Sequence, residues 1–87
     1  MTFPDLTQIQ AAKVVDARGT ACPGPLLEAK KGITSVRVGE ILEVWSGDAN
    51  TRANMPRWCE MAGHEFLGYL PGDGYERFFI RRRKVER

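Results

Sequence analysis

The stretch Val14–Ile33, VVDARGTACPGPLLEAKKGI, passes from strand to loop to helix within twenty residues. Val14-Val15-Asp16-Ala17 reads as a short strand. It is ended by Gly19, where a residue without a side chain would suit a tight approach to the next element. From Pro25 the apolar positions Leu26, Ala29, Ile33 and Val36 recur every three or four residues, which predicts one face of a helix about three turns long. Lys30, Lys31 and Arg37 fall outside that stripe or at its end, where cations favour the helix dipole. Gly32 is the weak point of this helix, costing about 1 kcal/mol against alanine.

Downstream, Gly39 precedes a second strand, EILEVWS, in which Leu42, Val44 and Ser46 alternate with Ile41, Glu43 and Trp45. In GDANTRANMPRWCEMAGHE a second helix can be capped by Asp48, Asn50 or Thr51, and Gly63 sits where a left-handed C-terminal cap is wanted. Pro56 is expected to kink or split that helix. Phe66, Tyr69 and Leu70 suggest a third strand. Asp73-Gly74 marks a hairpin turn, and YERFFIRRR gives a fourth strand with Phe78 and Ile80 on one side.

The order strand, helix, strand, helix, strand, strand predicts an α+β fold: a two-layer βαβαββ sandwich with two helices on one face of a four-stranded mixed sheet. The other face, carrying some of Trp45, Tyr75 and Phe79, would stay open for a partner. Eighty-seven residues are enough for a single domain with one thin core and little room for an enclosed pocket. The ordered core should span about 13–83, between a flexible N-terminus and a basic C-terminal tail, RRRKVER.

At 43% hydrophobic and 28% charged the composition is that of a soluble globular domain. The first dozen residues lack a basic start followed by an apolar run, and no long apolar stretch occurs, so a cytoplasmic location without membrane contact is expected. Two cysteines are too few for a disulfide framework. A formal net charge of +2 lies far from the bias of a dedicated nucleic-acid binder, so direct nucleic-acid binding is not expected.

Cys22 stands between the first strand and the first helix. If it is the N-cap, Pro23 falls at N1, where its fixed φ suits the helix and its missing N–H is no loss. Pro25 stiffens the same turn, and Gly24 leaves the sulfur uncovered and supplies the nearest amide. Helix polarity at that point favours an anionic sulfur, either a thiolate or a persulfide. Two readings stay open from the residues: a cysteine standing in for a serine cap, or a reactive thiol.

The other chemistry-bearing residues point elsewhere. His64 reads as a residue of the loop after the second helix, and Cys59 as a small core residue or a resolving thiol. No C-x-x-C or H-x-x-x-H pair suggests a metal site, and no glycine-rich phosphate loop suggests a nucleotide.

VVDARGTACPGPLLEAKK, GEILEV and GDANTRANMPRWCEMAGHE together resemble the TusA, or SirA-like, family of small sulfur carrier proteins over roughly residues 14 to 83. The most specific match is the C-P-x-P motif, here Cys22, Pro23, Gly24 and Pro25, with Asp16, Gly19, Asp48, Pro56 and Gly63-His64-Glu65 in order. The chain departs from the family at Thr20, Ala49 and Asn54. The resemblance implies a persulfide carried on Cys22 and no metal or organic cofactor. It implies a donor such as a cysteine desulfurase or rhodanese, and an acceptor protein with a reactive cysteine, of the DsrE or TusD type. Sulfur oxidation, tRNA thiolation and cofactor assembly are the pathways it suggests. The rival reading is a regulatory or interaction module that binds protein or RNA through the open sheet face, with Cys22 structural.

Overall fold

In the computed structural model, residues 10–19 and 24–83 are described. β1 (Lys13–Asp16) lies parallel to β2 (Ile41–Ser46), with Val15 opposite Val44 and Asp16 opposite Trp45. The parallel pairing requires a crossover, and α1 (Gly24–Ile33) supplies it. α2 (Thr51–Ala62) follows β2, and β3 (Glu65–Pro71) and β4 (Glu76–Arg81) form an antiparallel hairpin. The strand order is β1-β2-β4-β3, so the expected βαβαββ sandwich on a mixed sheet is the observed one.

One sheet face is the core. Leu42 and Val44 of β2 and Phe78 and Ile80 of β4 are fully buried against Ala29 and Ile33 of α1 and Met55, Trp58 and Cys59 of α2. Side chains the size of Leu42 or Phe78 contribute about 1.5–3 kcal/mol each when buried this completely. Val36 belongs to this core although α1 has already ended at Ile33. Gly19 has nothing within 4 Å of an added Cβ among the described residues.

α2 departs from expectation at both its start and its middle. Asn50 holds the N-cap position without a side-chain cap bond. Instead Asp48 Oδ1 accepts the Asn50 N–H at 2.9 Å, and the Thr51 hydroxyl pairs with that of Ser46 at 2.8 Å. The helix runs unbroken through Pro56, which neither splits nor ends it. The carbonyl that loses its partner there is that of Arg52, an exposed residue of the first turn where water can replace the bond. At the other end Gly63 is left-handed at φ 82°, donating to Glu60 O, while the His64 N–H reaches Cys59 O at 2.8 Å. These two bonds make a Schellman closure, as the glycine predicted.

The second sheet face is not an open aromatic platform. Phe79 is fully buried, with the Arg77 guanidinium 5.5 Å from its ring centroid. Glu43, also buried, accepts hydrogen bonds from Trp45 Nε1 and from Arg77 Nε at 2.7 Å. Glu65 pairs with Arg81 and Arg83 along the same face. Long cationic side chains therefore cover the apolar atoms that would otherwise have been exposed.

Candidate functional site

Because β1 and β2 are parallel, their carboxyl ends lie together, and the connections that leave them open α1 and α2 at the same end of the sheet. The β3–β4 hairpin turn arrives there too, since Ser46, Glu76 and Pro71 are register partners across β2, β4 and β3. Three connections thus meet there: the one that leaves β1, described over 17–19, and those at 47–50 and 72–75. Crevices at the carboxyl ends of parallel strands are the usual place for function in α/β sheets.

The first connection begins with a tight turn. Asp16 Oδ1 accepts the Arg18 backbone N–H at 3.1 Å and Nε at 2.8 Å, while Oδ2 accepts Nη2 at 2.7 Å. These bonds to Arg18, the side-chain ones first, hold the Asp16 carboxyl down at about 2. The Arg18 guanidinium lies 5.0 Å from the ring centroids of both Trp45 and Tyr75, which are 5.3 Å from one another. Tyr75 in turn packs its ring over Gly72, where any Cβ would come within 2.7 Å of it. Ala17, buried, donates its N–H to Trp45 O at 2.9 Å.

Gly24 opens α1 and Pro25, buried, follows it. Neither α1 nor α2 has an acidic residue in its first turn, and at α2 the Asp48 carboxylate stands just ahead of the helix, where it accepts the Asn50 N–H. Cys22 and Pro23, with Thr20, lie outside the described residues. Between the start of α2 and the hairpin turn lies a groove of about 270 Å³ lined by Ser46, Gly47, Arg52, Gly72 and Tyr75. Arg52 closes one side through its ion pair with Glu76 at 2.7 Å.

Cys59 is a core residue. It is buried, and desolvation pushes its thiol up from the ordinary 9.0 to about 12. It also sits eight residues beyond Thr51, about 12 Å along α2 from the convergent end. His64 is likewise remote. It is buried at the far end of α2, its ring 5.7 Å from that of Trp58, and its Nδ1 accepts the Arg83 N–H. It belongs to the loop, as the sequence suggested, and is not a base for the convergent end.

The sequence did not single out the cluster of Asp16, Arg18, Trp45 and Tyr75. Its only local trace is the Asp-x-Arg spacing at the end of a strand, since Trp45 and Tyr75 come from distant segments.

The Sulfurtransferase TusA family model matches residues 13–82, which spans every element of the fold. The chain belongs to the TusA family. An Archaeoglobus fulgidus protein with a provisional sulfur-carrier name is 42% identical over 71 residues, covering 82% of this chain and 97% of that one. The sulfur carrier protein TusA of Pseudomonas entomophila is 31% identical over 78 residues, 90% of this chain and 98% of its own. Among solved structures, a SirA-like protein of Desulfitobacterium hafniense superposes with a TM-score of 0.70 at 27% identity, covering 83% of this chain and 99% of the other. Membership of the TusA family supports a sulfur-carrier role. No helix among the described residues is long and apolar enough to cross a membrane.

Proposed function

We propose that the chain carries sulfane sulfur as a persulfide on Cys22 and hands it to a cysteine of an acceptor protein. The observation that carries this reading is the family match over 13–82, within which Cys22 opens the C-P-x-P motif two residues before the start of α1.

In loading, the Cys22 thiolate attacks the outer sulfur of a donor persulfide. A new S–S bond forms at Cys22, the donor's S–S bond breaks, and the donor thiolate leaves with its electron pair. In unloading, an acceptor thiolate attacks the same outer sulfur and the Cys22 thiolate departs. Neither step needs an outside oxidant or reductant, so no redox cofactor is called for. The helix start favours the thiolate in both directions, as attacking group and as leaving group.

Donors of the cysteine desulfurase or rhodanese type and acceptors of the DsrE or TusD type fit this chemistry, in cytoplasmic sulfur oxidation, tRNA thiolation or cofactor assembly. Incubation with a sulfur donor followed by intact-mass measurement tests the reading. Wild type and Cys59→Ser should each gain one sulfur atom, and Cys22→Ser none. Equal loading of both variants removes the assignment to Cys22.

A further inference from the structure

We propose that Arg18 is a positioning residue for sulfur transfer, fixing the upstream end of the loop that carries Cys22 and tying it to the β3–β4 hairpin. This inference rests on the carrier reading above and adds to it a residue that acts through geometry.

Arg18 lies four residues before Cys22, at the point where the chain leaves β1. Three hydrogen bonds to Asp16 fix both its backbone and its side chain. Its planar guanidinium then touches two rings from separate segments, Trp45 at the end of β2 and Tyr75 before β4. Trp45 is itself held by Glu43, and Glu43 by Arg77. The Arg18 carbonyl abuts Gly47, 3.5 Å from where a Cβ would stand on that residue. The turn is thus braced against two of the three connections that meet at this end.

The Arg18 and Asp16 side chains are 46% and 47% exposed, and an ion pair so open to water adds little to stability. Ala17 remains anchored without Arg18, through its buried side chain and its N–H to Trp45 O. Removal of the guanidinium therefore takes away the side-chain bonds to Asp16 and the contacts with both rings, which loosens the turn's tie to the hairpin, while the N–H of residue 18 keeps its bond to Asp16 Oδ1 and the strand stays in place. A protein donor or acceptor presents its sulfur at a fixed point, so freedom in this loop lowers the rate of in-line attack. A small donor diffuses to the sulfur from any side and does not register the loss.

The test compares wild type, Arg18→Ala and Arg18→Lys with two donors: inorganic polysulfide, and a rhodanese persulfidated with thiosulfate. Transfer is followed by intact mass at several donor concentrations and pH values, and folding by thermal melts. With rhodanese, Arg18→Ala should lower the saturating transfer rate about tenfold at unchanged half-saturation. Arg18→Lys should recover part of it, because an ammonium can pair with Asp16 but lacks the planar fork and ring stack. With polysulfide, rate, extent and pH profile should match wild type in both variants.

Three results overturn the proposal: an unchanged rhodanese rate, a change confined to half-saturation, or a loss of equal size with polysulfide or a moved pH profile. The second would make Arg18 a docking contact, and the third would make it an electrostatic partner of the thiolate. Failure of wild type to load from either donor would instead sink the carrier reading itself, before any variant is compared.

Discussion

Gly32 of α1 is pressed against Val15 of β1: a Cβ on the glycine would stand 2.8 Å from Val15 Cγ2 and 3.1 Å from Leu42 Cδ1. Alanine at this position gains about 1 kcal/mol of helix propensity but must push helix and sheet apart. We expect Gly32→Ala to be net destabilising by about 1–2 kcal/mol in urea denaturation. An unchanged or raised midpoint would mean that the two layers yield without cost.

Glu43 and Arg77 are joined 34 residues apart in sequence, with the Glu43 side chain only 6% exposed and that of Arg77 35%. Glu43→Ala leaves the Trp45 indole N–H and the guanidinium without their acceptor. The loss should be about 2 kcal/mol, below the cost for a fully buried pair because Arg77 can turn to water. Glu43→Gln keeps an acceptor without the charge and should cost less. Equal losses in the two variants would show that charge, and not hydrogen bonding, carries the contact.

Burial keeps Cys59 protonated and out of reach. Alkylation of native Cys22→Ser should therefore incorporate no label near neutral pH, and labelling should appear only on unfolding. The same shift has an alkaline consequence. The folded thiol is raised from 9.0 to about 12, so between those values the unfolded chain ionises first and stability falls as pH rises. Cys59→Ala should lose that alkaline slope while costing about 1 kcal/mol at neutral pH.

Asp16 titrates in the opposite sense. Its folded value, about 2, lies below the ordinary 3.8, so its contribution is complete above about 4 and disappears as pH falls toward 2. The difference in urea midpoint between wild type and Asp16→Asn should close over that window and shrink with added salt, because both partners are exposed. A difference that persists at pH 2 would point to the hydrogen-bond geometry of the turn instead of its charge.

Much of the fold was legible because local chemistry and tertiary role agree. Leu42, Val44 and Ser46 share the strand face that meets the helices, as their alternation predicted, and Gly63 takes the one backbone conformation that favours glycine at a helix end. Asp73-Gly74 marks the hairpin, with Gly74 at φ 79°. Other features depend on neighbours that local patterns do not reveal. The bulge between Phe66 and Gly68 puts both Phe66 and Tyr69 beside Phe78, although three residues apart they would face opposite ways in a regular strand. The cover over Phe79 comes from Arg77, whose position is set by Glu43 on the adjacent strand. At the site, α1 is described from Gly24 with Pro25 in its first turn, while the seat of Arg18 needs Trp45 and Tyr75 to be brought in by the completed sheet.

The bulge has a further effect on solution behaviour. β3 forms an outer margin of the sheet, where free amides and carbonyls invite foreign chains to align. The extra residue, Leu67, interrupts the even spacing of those groups, and Pro71 has no amide to offer at the strand's end. An incoming segment therefore finds no unbroken template on this side. Concentrated preparations should resist fibrous assembly along β3, and filling in the bulge by deleting Leu67 would remove that safeguard.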